Sequence, residues 1–187
     1  MHKKIIFLTI ALCFLLSCSL EQLIEINGYG DDYEDLSEEQ KSIIKPLVSF
    51  KNIDNNNVYK INPEQLKDEL SKQPKSIVKL VSTVDCEYYL RKPLSYYEDF
   101  AKENGYKLYI IMTTYYPFNF VMSQHPENTI FVLDYDYYDE RQRVICERYF
   151  NNELIGLPID TPFEEIPKDK IGSTYYYEYG KLLKIEE

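Results

Sequence analysis

Apolar and polar positions change period several times along the chain, and each change marks an element. Residues 58–61, "VYKI", form a short β-rich run after the turn-forming asparagines 55–57. Asn62 and Pro63 then supply an N-cap and a first-turn proline. From there the spacing predicts a helix to about Lys72, with Leu66 and Leu70 four apart on one face and Pro74 closing it. Residues 77–83 return to a β-rich run, as expected of a buried strand. A second helix is expected over residues 93–104, with Gly105 where a C-terminal cap belongs.

The stretch "YKLYIIMTTYY" reads as the next strand, residues 117–124 as a short helix and residues 125–128 as a turn. "NTIFVLDYD" follows as a strand, and "DERQRVICERYFNNELIG" as a helix with Val144, Ile145, Arg148 and Leu154 on its packed side. Residues 157–170 hold three prolines and read as loop, and "STYYYEYGKLLKI" reads as a hairpin turning at Tyr179-Gly180. Strands alternating with helices imply an α/β fold with a mainly parallel sheet, which the closing hairpin extends in antiparallel sense.

Upstream, Ser37 followed by Gln40 is a capping-box pattern opening a short helix that stops near Pro46. Residues 19–33 are polar, and the acids Asp31, Asp32, Glu34 and Asp35 lack the spacing of a calcium loop, so they read as a solvated face. The chain opens "MHKKIIFLTIALCFLLSCSL": two lysines, then an apolar stretch too short for a mature membrane span, the arrangement of a secretory signal. Directly after the apolar run, Leu15-Leu16-Ser17-Cys18 resembles the lipobox of bacterial lipoproteins. That resemblance implies cleavage before Cys18 and acylation, palmitate included, of its new N-terminus. Several acyl chains anchor stably where one would not. The expected organisation is a signal peptide over residues 1–17, a lipidated acidic spacer with a short helix over 18–45, and one domain over 46–187. The expected location is the bacterial cell envelope, on the outer membrane facing the periplasm or the cell surface.

The formal charge of −10 argues against nucleic acid as a partner and against electrostatic attachment to an anionic lipid surface, which leaves covalent lipid as the anchor and an envelope protein as a candidate partner. There are 19 tyrosines and no tryptophan. Tyrosine suits strands and half-buried positions, which is preferred to a glycan-stacking surface. Of four cysteines, Cys13 leaves with the signal and Cys18 is acylated, so Cys86 and Cys146 remain and one bridge at most is available. Cys146 reads as a small buried hydrophobe in a helix. His125 precedes a proline in a turn and has no second histidine for a metal pair once the signal is removed. No phosphate-binding glycine loop is present, and "DYDYYDE" lacks the central glycine of a calcium loop, its acids being placed to cap the helix that follows. No cofactor or metal is expected.

The order of elements, with "VYKINPEQLKDELSKQPKSIVKLVSTVDC" leading to a cysteine and "STYYYEYGKLLKI" at the end, resembles the thioredoxin-like superfamily, in its membrane-tethered, peroxiredoxin-related branch of TlpA and ResA type. The resemblance spans residues 58–185. It implies a three-layer thioredoxin-like sandwich with Cys86 at the catalytic turn. Two signature elements differ. The family's Cys-x-x-Cys is here Cys86-Glu87-Tyr88-Tyr89, and the position of its cis-proline falls at Ser173-Thr174. With no partner thiol in the turn, the expected role is a non-catalytic binding or accessory module. The alternative is thiol–disulfide or peroxide chemistry at the lone Cys86, whose thiolate a helix N-terminus would favour and whose neighbours Asp85 and Glu87 would oppose.

Overall fold

The computed structural model describes residues 30–82 and 92–186. Among them a seven-stranded sheet runs in the order β1-β2-β5-β4-β3-β6-β7. Its strands are β1 (Ile44–Pro46), β2 (Val58–Ile61), β3 (Ser76–Val81), β4 (Lys107–Met112), β5 (Ile130–Leu133), β6 (Thr174–Glu178) and β7 (Lys181–Glu186). Five helices accompany them: α1 (Glu38–Ile43), α2 (Pro63–Lys72), α3 (Leu94–Asn104), α4 (Phe118–Ser123) and α5 (Arg143–Leu154). The first five strands are mutually parallel, and the β6–β7 hairpin adds antiparallel to β3. The sheet is therefore α/β and mostly parallel with a C-terminal hairpin, as the alternation of elements implies.

Local chemistry explains the element boundaries. Ser37 and Gln40 form a complete capping box at α1, and Asn62 with Gln65 forms another at α2, where Pro63 occupies the first turn. Gly105 ends α3 at φ 69°, and the β6–β7 turn places Tyr179 and Gly180 at φ 46° and 76°, the doubly left-handed geometry of a two-residue hairpin turn. His125 also takes positive φ, in the loop ahead of β5.

Strand alternation divides the core in two. One face of the sheet gathers Ile61, Val78, Leu80, Tyr109, Ile111, Phe131 and Leu133 against α2 and α5. The other gathers Ile77, Val81, Ile110, Met112 and Val132 against α3 and α4. Leu66 and Leu70 of α2 are 0 % and 1 % exposed; each burial contributes about 2 kcal/mol. Covered on both faces, β3 is buried at every position, which is why its apolar run is interrupted only by Lys79 after Ser76.

Eight of the described tyrosines are core residues. Tyr59, Tyr97, Tyr109, Tyr115, Tyr135 and Tyr175 to Tyr177 are all buried. Several turn the phenol to a partner: Tyr177 donates to the Leu154 carbonyl at 2.9 Å, Tyr175 to the Gly172 carbonyl at 2.8 Å and Tyr109 to Glu69 at 3.1 Å. A phenol so used lets the ring sit deep without leaving an unmet hydroxyl.

Three expectations need correction. On α5 the packed side is Cys146, Phe150 and Leu154, spaced four apart, while Val144 faces solvent at 63 % exposure. The acids before that helix do not cap it through a side chain at the N-cap, Gln142; Glu140 instead accepts the amides of Arg141 and Gln142 at 2.7 and 2.8 Å. The acidic segment near residue 30 is also not wholly solvated. Asp31 and Asp32 are half-buried against the domain, Leu36 joins its core, and Ile44–Pro46 pairs with β2 as an edge strand.

Candidate functional site at the carboxyl edge of the sheet

Parallel strands end together, so the carboxyl ends of β2, β3, β4 and β5 share one edge, where open α/β sheets place their ligands. Backbone bonds hold that edge in register: the Thr113 amide donates to the Val81 carbonyl at 2.9 Å and the Asp134 amide to the Ile61 carbonyl at 2.9 Å. The N-terminal segment closes over it. The Tyr115 amide donates to the Asp31 carbonyl at 2.7 Å, the Gly30 amide to the Arg141 carbonyl at 2.8 Å, and the Tyr33 ring meets Tyr115 edge to face at 5.3 Å. A cleft of about 370 Å³ remains beside this segment, lined in part by Asp31, Tyr33, Lys60, Tyr135, Asp136 and Glu140.

The first turns of α5 cross the same edge and bring charge to it. Arg143 is ion-paired with Asp32, both side chains 17 % exposed. Glu147 accepts the Thr113 hydroxyl at 2.7 Å. Burial pushes the carboxyls of Asp31 and Asp134 above their ordinary range; Lys60 opposes the shift in both and Asp136 reinforces it. The hydroxyls of Tyr115 and Tyr135 and one carboxylate oxygen each of Asp32 and Asp134 are buried without a hydrogen-bond partner. Desolvation drives both phenols upward, so they remain neutral donors.

Cys146 lies beneath this cluster. Its side chain is fully buried, Sγ sits 3.3 Å from the Glu140 carbonyl oxygen, and burial with the nearby Glu140 and Glu147 pushes the thiol up to about 12. A thiol in that state is a poor nucleophile at neutral pH. Cys18 and Cys86 lie outside the described residues. His125 is exposed, away from any second histidine among the described residues. Among those residues no group of three or more His, Cys, Asp or Glu side chains is arranged to hold a metal ion, and no helix is long and apolar enough to cross a membrane.

The sequence pattern passes over Lys79. It stands mid-strand in β3, only 2 % exposed, between the apolar Val78 and Leu80. Its ammonium donates to the Ser173 hydroxyl at 2.6 Å and lies 5.2 Å from the centre of the Tyr97 ring. Ser173 also accepts the Leu80 amide through its carbonyl at 2.8 Å, so the residue before β6 is tied to β3 twice. The available signal is the register: Lys79 pairs with Thr174, and only the hairpin's return along β3 brings Ser173 within reach.

No protein-family model, no curated protein and no solved structure matches this chain.

Proposed function

We propose that the chain is a lipid-anchored envelope protein whose single domain is a thioredoxin-like fold with a degenerate active turn, working as a non-catalytic binding or accessory module. The finer fold assignment is supported by the sheet order: β3 has parallel β4 on one side and the antiparallel β6–β7 hairpin on the other, with helices covering both faces. The observation that carries the non-catalytic role is Cys146, the one cysteine among the described residues. It is wholly buried with its thiol pushed up to about 12, so it makes a poor resolving partner for Cys86. Tyr89, in the position of the family's second cysteine, supplies a phenol instead. Release of a mixed disulfide requires attack by a second thiolate.

The test is an insulin disulfide-reduction assay run beside pH-dependent alkylation of Cys86. The expected result is no turnover and a Cys86 thiol near the ordinary value of about 8.5. A depressed thiol without turnover would favour the lone-cysteine reading. Multiple turnovers abolished by Cys146→Ser would overturn the proposal. Membrane attachment is tested by Cys18→Ser, which is expected to move the protein from the membrane fraction to the soluble fraction; retention after washing without detergent would count against the anchor.

A further inference from the structure

The surface between α3 and the terminal hairpin carries a row of aromatic rings. Tyr96 and Phe100, one helical turn apart, lie nearly parallel, with centroids 6.4 Å apart and planes 17° apart. Tyr106 continues the row beyond Phe100 at 6.1 Å and 21°. Rings parallel at such separations are displaced sideways, so the three form a terrace and not a closed stack. Tyr176 of β6 stands perpendicular to Phe100 and to Tyr106, at 6.3 and 5.9 Å, and braces both. Tyr176 is 5 % exposed and Tyr96 is 41 % exposed, so the terrace rises from core to solvent.

Cations stand at both ends. Lys92 Nζ lies over the Tyr96 ring at 3.9 Å and Lys75 Nζ over the Tyr106 ring at 5.4 Å. Neither has a carboxylate within ion-pair distance among the described residues, whereas Lys184, over Tyr176, is already paired with Glu186 at 2.6 Å. Phe100, in the centre, has no cation over it among the described residues. The terrace is thus a half-buried ring without a cation of its own between two ring-and-cation pairs.

We propose that this terrace binds an anionic polysaccharide, with one sugar ring resting on Phe100 and the acidic groups of neighbouring units received by Lys92 and Lys75. The apolar C–H face of a pyranose carries slight positive charge and complements the negative face of an aromatic ring. The two lysines have flexible stems and trade a ring contact for a carboxylate without disturbing the backbone. Sparse acids match two isolated cations. A dense polyanion does not, because exposed Glu103 lies one helical turn from Phe100 and the chain carries a formal charge of −10. The inference rests on the geometry of this surface alone and stands whether or not Cys86 is reactive.

The experiment is affinity electrophoresis of the full-length protein, in non-ionic detergent, through gels containing hyaluronate, which carries a carboxylate on alternate sugars, or neutral dextran, with a mobility-shift assay on oligothymidylate alongside. Hyaluronate is expected to retard the protein, and dextran and the oligonucleotide are not. Tyr96→Ala, Phe100→Ala and the double variant Lys75→Ala/Lys92→Ala are each expected to weaken retardation about tenfold. Lys51→Ala, on the opposite side of the sheet, is expected to leave it unchanged. Tyr96 is the most exposed of the rings, so its variant keeps the test valid if Phe100→Ala lowers the melting temperature. Absence of retardation, equal retardation by dextran, preferential binding of the oligonucleotide, or full retardation of folded Tyr96→Ala and Lys75→Ala/Lys92→Ala would each overturn the proposal.

Discussion

Asp32 and Arg143, 111 residues apart in sequence, are joined by an ion pair that fastens the N-terminal segment to the first turn of α5. Both side chains are 17 % exposed, and Arg143 Nε is buried without a second partner. Removing the carboxylate leaves a half-buried guanidinium with less compensation than before. Asp32→Asn, which tolerates the left-handed φ of 66° at this position, is expected to cost about 2 kcal/mol. Asp32→Ala is expected to cost about 1 kcal/mol more, because alanine resists that backbone conformation. Urea unfolding midpoints measure both; equal midpoints for the wild type and Asp32→Asn would show the pair to be energetically neutral.

Asp31 and Asp134 give the edge a dependence on pH. Their carboxyls are raised in the folded state above the ordinary 3.8, so the stabilisation linked to their protonation is fully present below that value and is lost as pH rises through the raised folded values. Glu186 works oppositely. Its carboxyl is lowered by Lys184 and Tyr176, so its contribution is present above the ordinary 4.5 and lost as pH falls through its folded value. Mild acidification from neutrality is therefore expected to raise the unfolding midpoint before stronger acid lowers it. In Asp31→Asn/Asp134→Asn the initial rise should disappear; its persistence would place the titrating groups elsewhere.

The packed face of α5 leaves out Val144, which the sequence pattern places on it, and holds Phe150, which the pattern does not single out. Phe150 is 0 % exposed and Val144 is 63 % exposed. Phe150→Ala is expected to destabilise the domain by about 3–5 kcal/mol, the cost of a large cavity. Val144→Ala should change stability by less than about 0.5 kcal/mol. Thermal melts of the two variants decide the orientation of the helix.

Gly172 precedes β6 where two backbones nearly touch. A Cβ there would lie 2.5 Å from the Glu186 carbonyl oxygen and 2.6 Å from Ile185 Cγ2, so β7 has to move to admit one. Gly172→Ala is expected to cost about 1–3 kcal/mol. Faster amide exchange in β7 than in β4 would locate the damage at the hairpin.

The sequence by itself determined the local elements. Caps and breakers act over a few residues, so Ser37 with Gln40, Asn62-Pro63, Gly105 and Tyr179-Gly180 mark real boundaries. The alternation of strand and helix likewise announced a mostly parallel sheet closed by a hairpin. Tertiary structure decided whatever depends on which strands become neighbours. The placement of β5 between β2 and β4, the pairing of β1, the burial of Lys79 against Ser173 and the meeting of Asp32 with Arg143 all join residues far apart along the chain. Val144 and Phe150 differ for the same reason. Periodicity gives α5 an axis, but the phase of its packed face is set by the sheet beneath it, where Cys146, Phe150 and Leu154 meet the core.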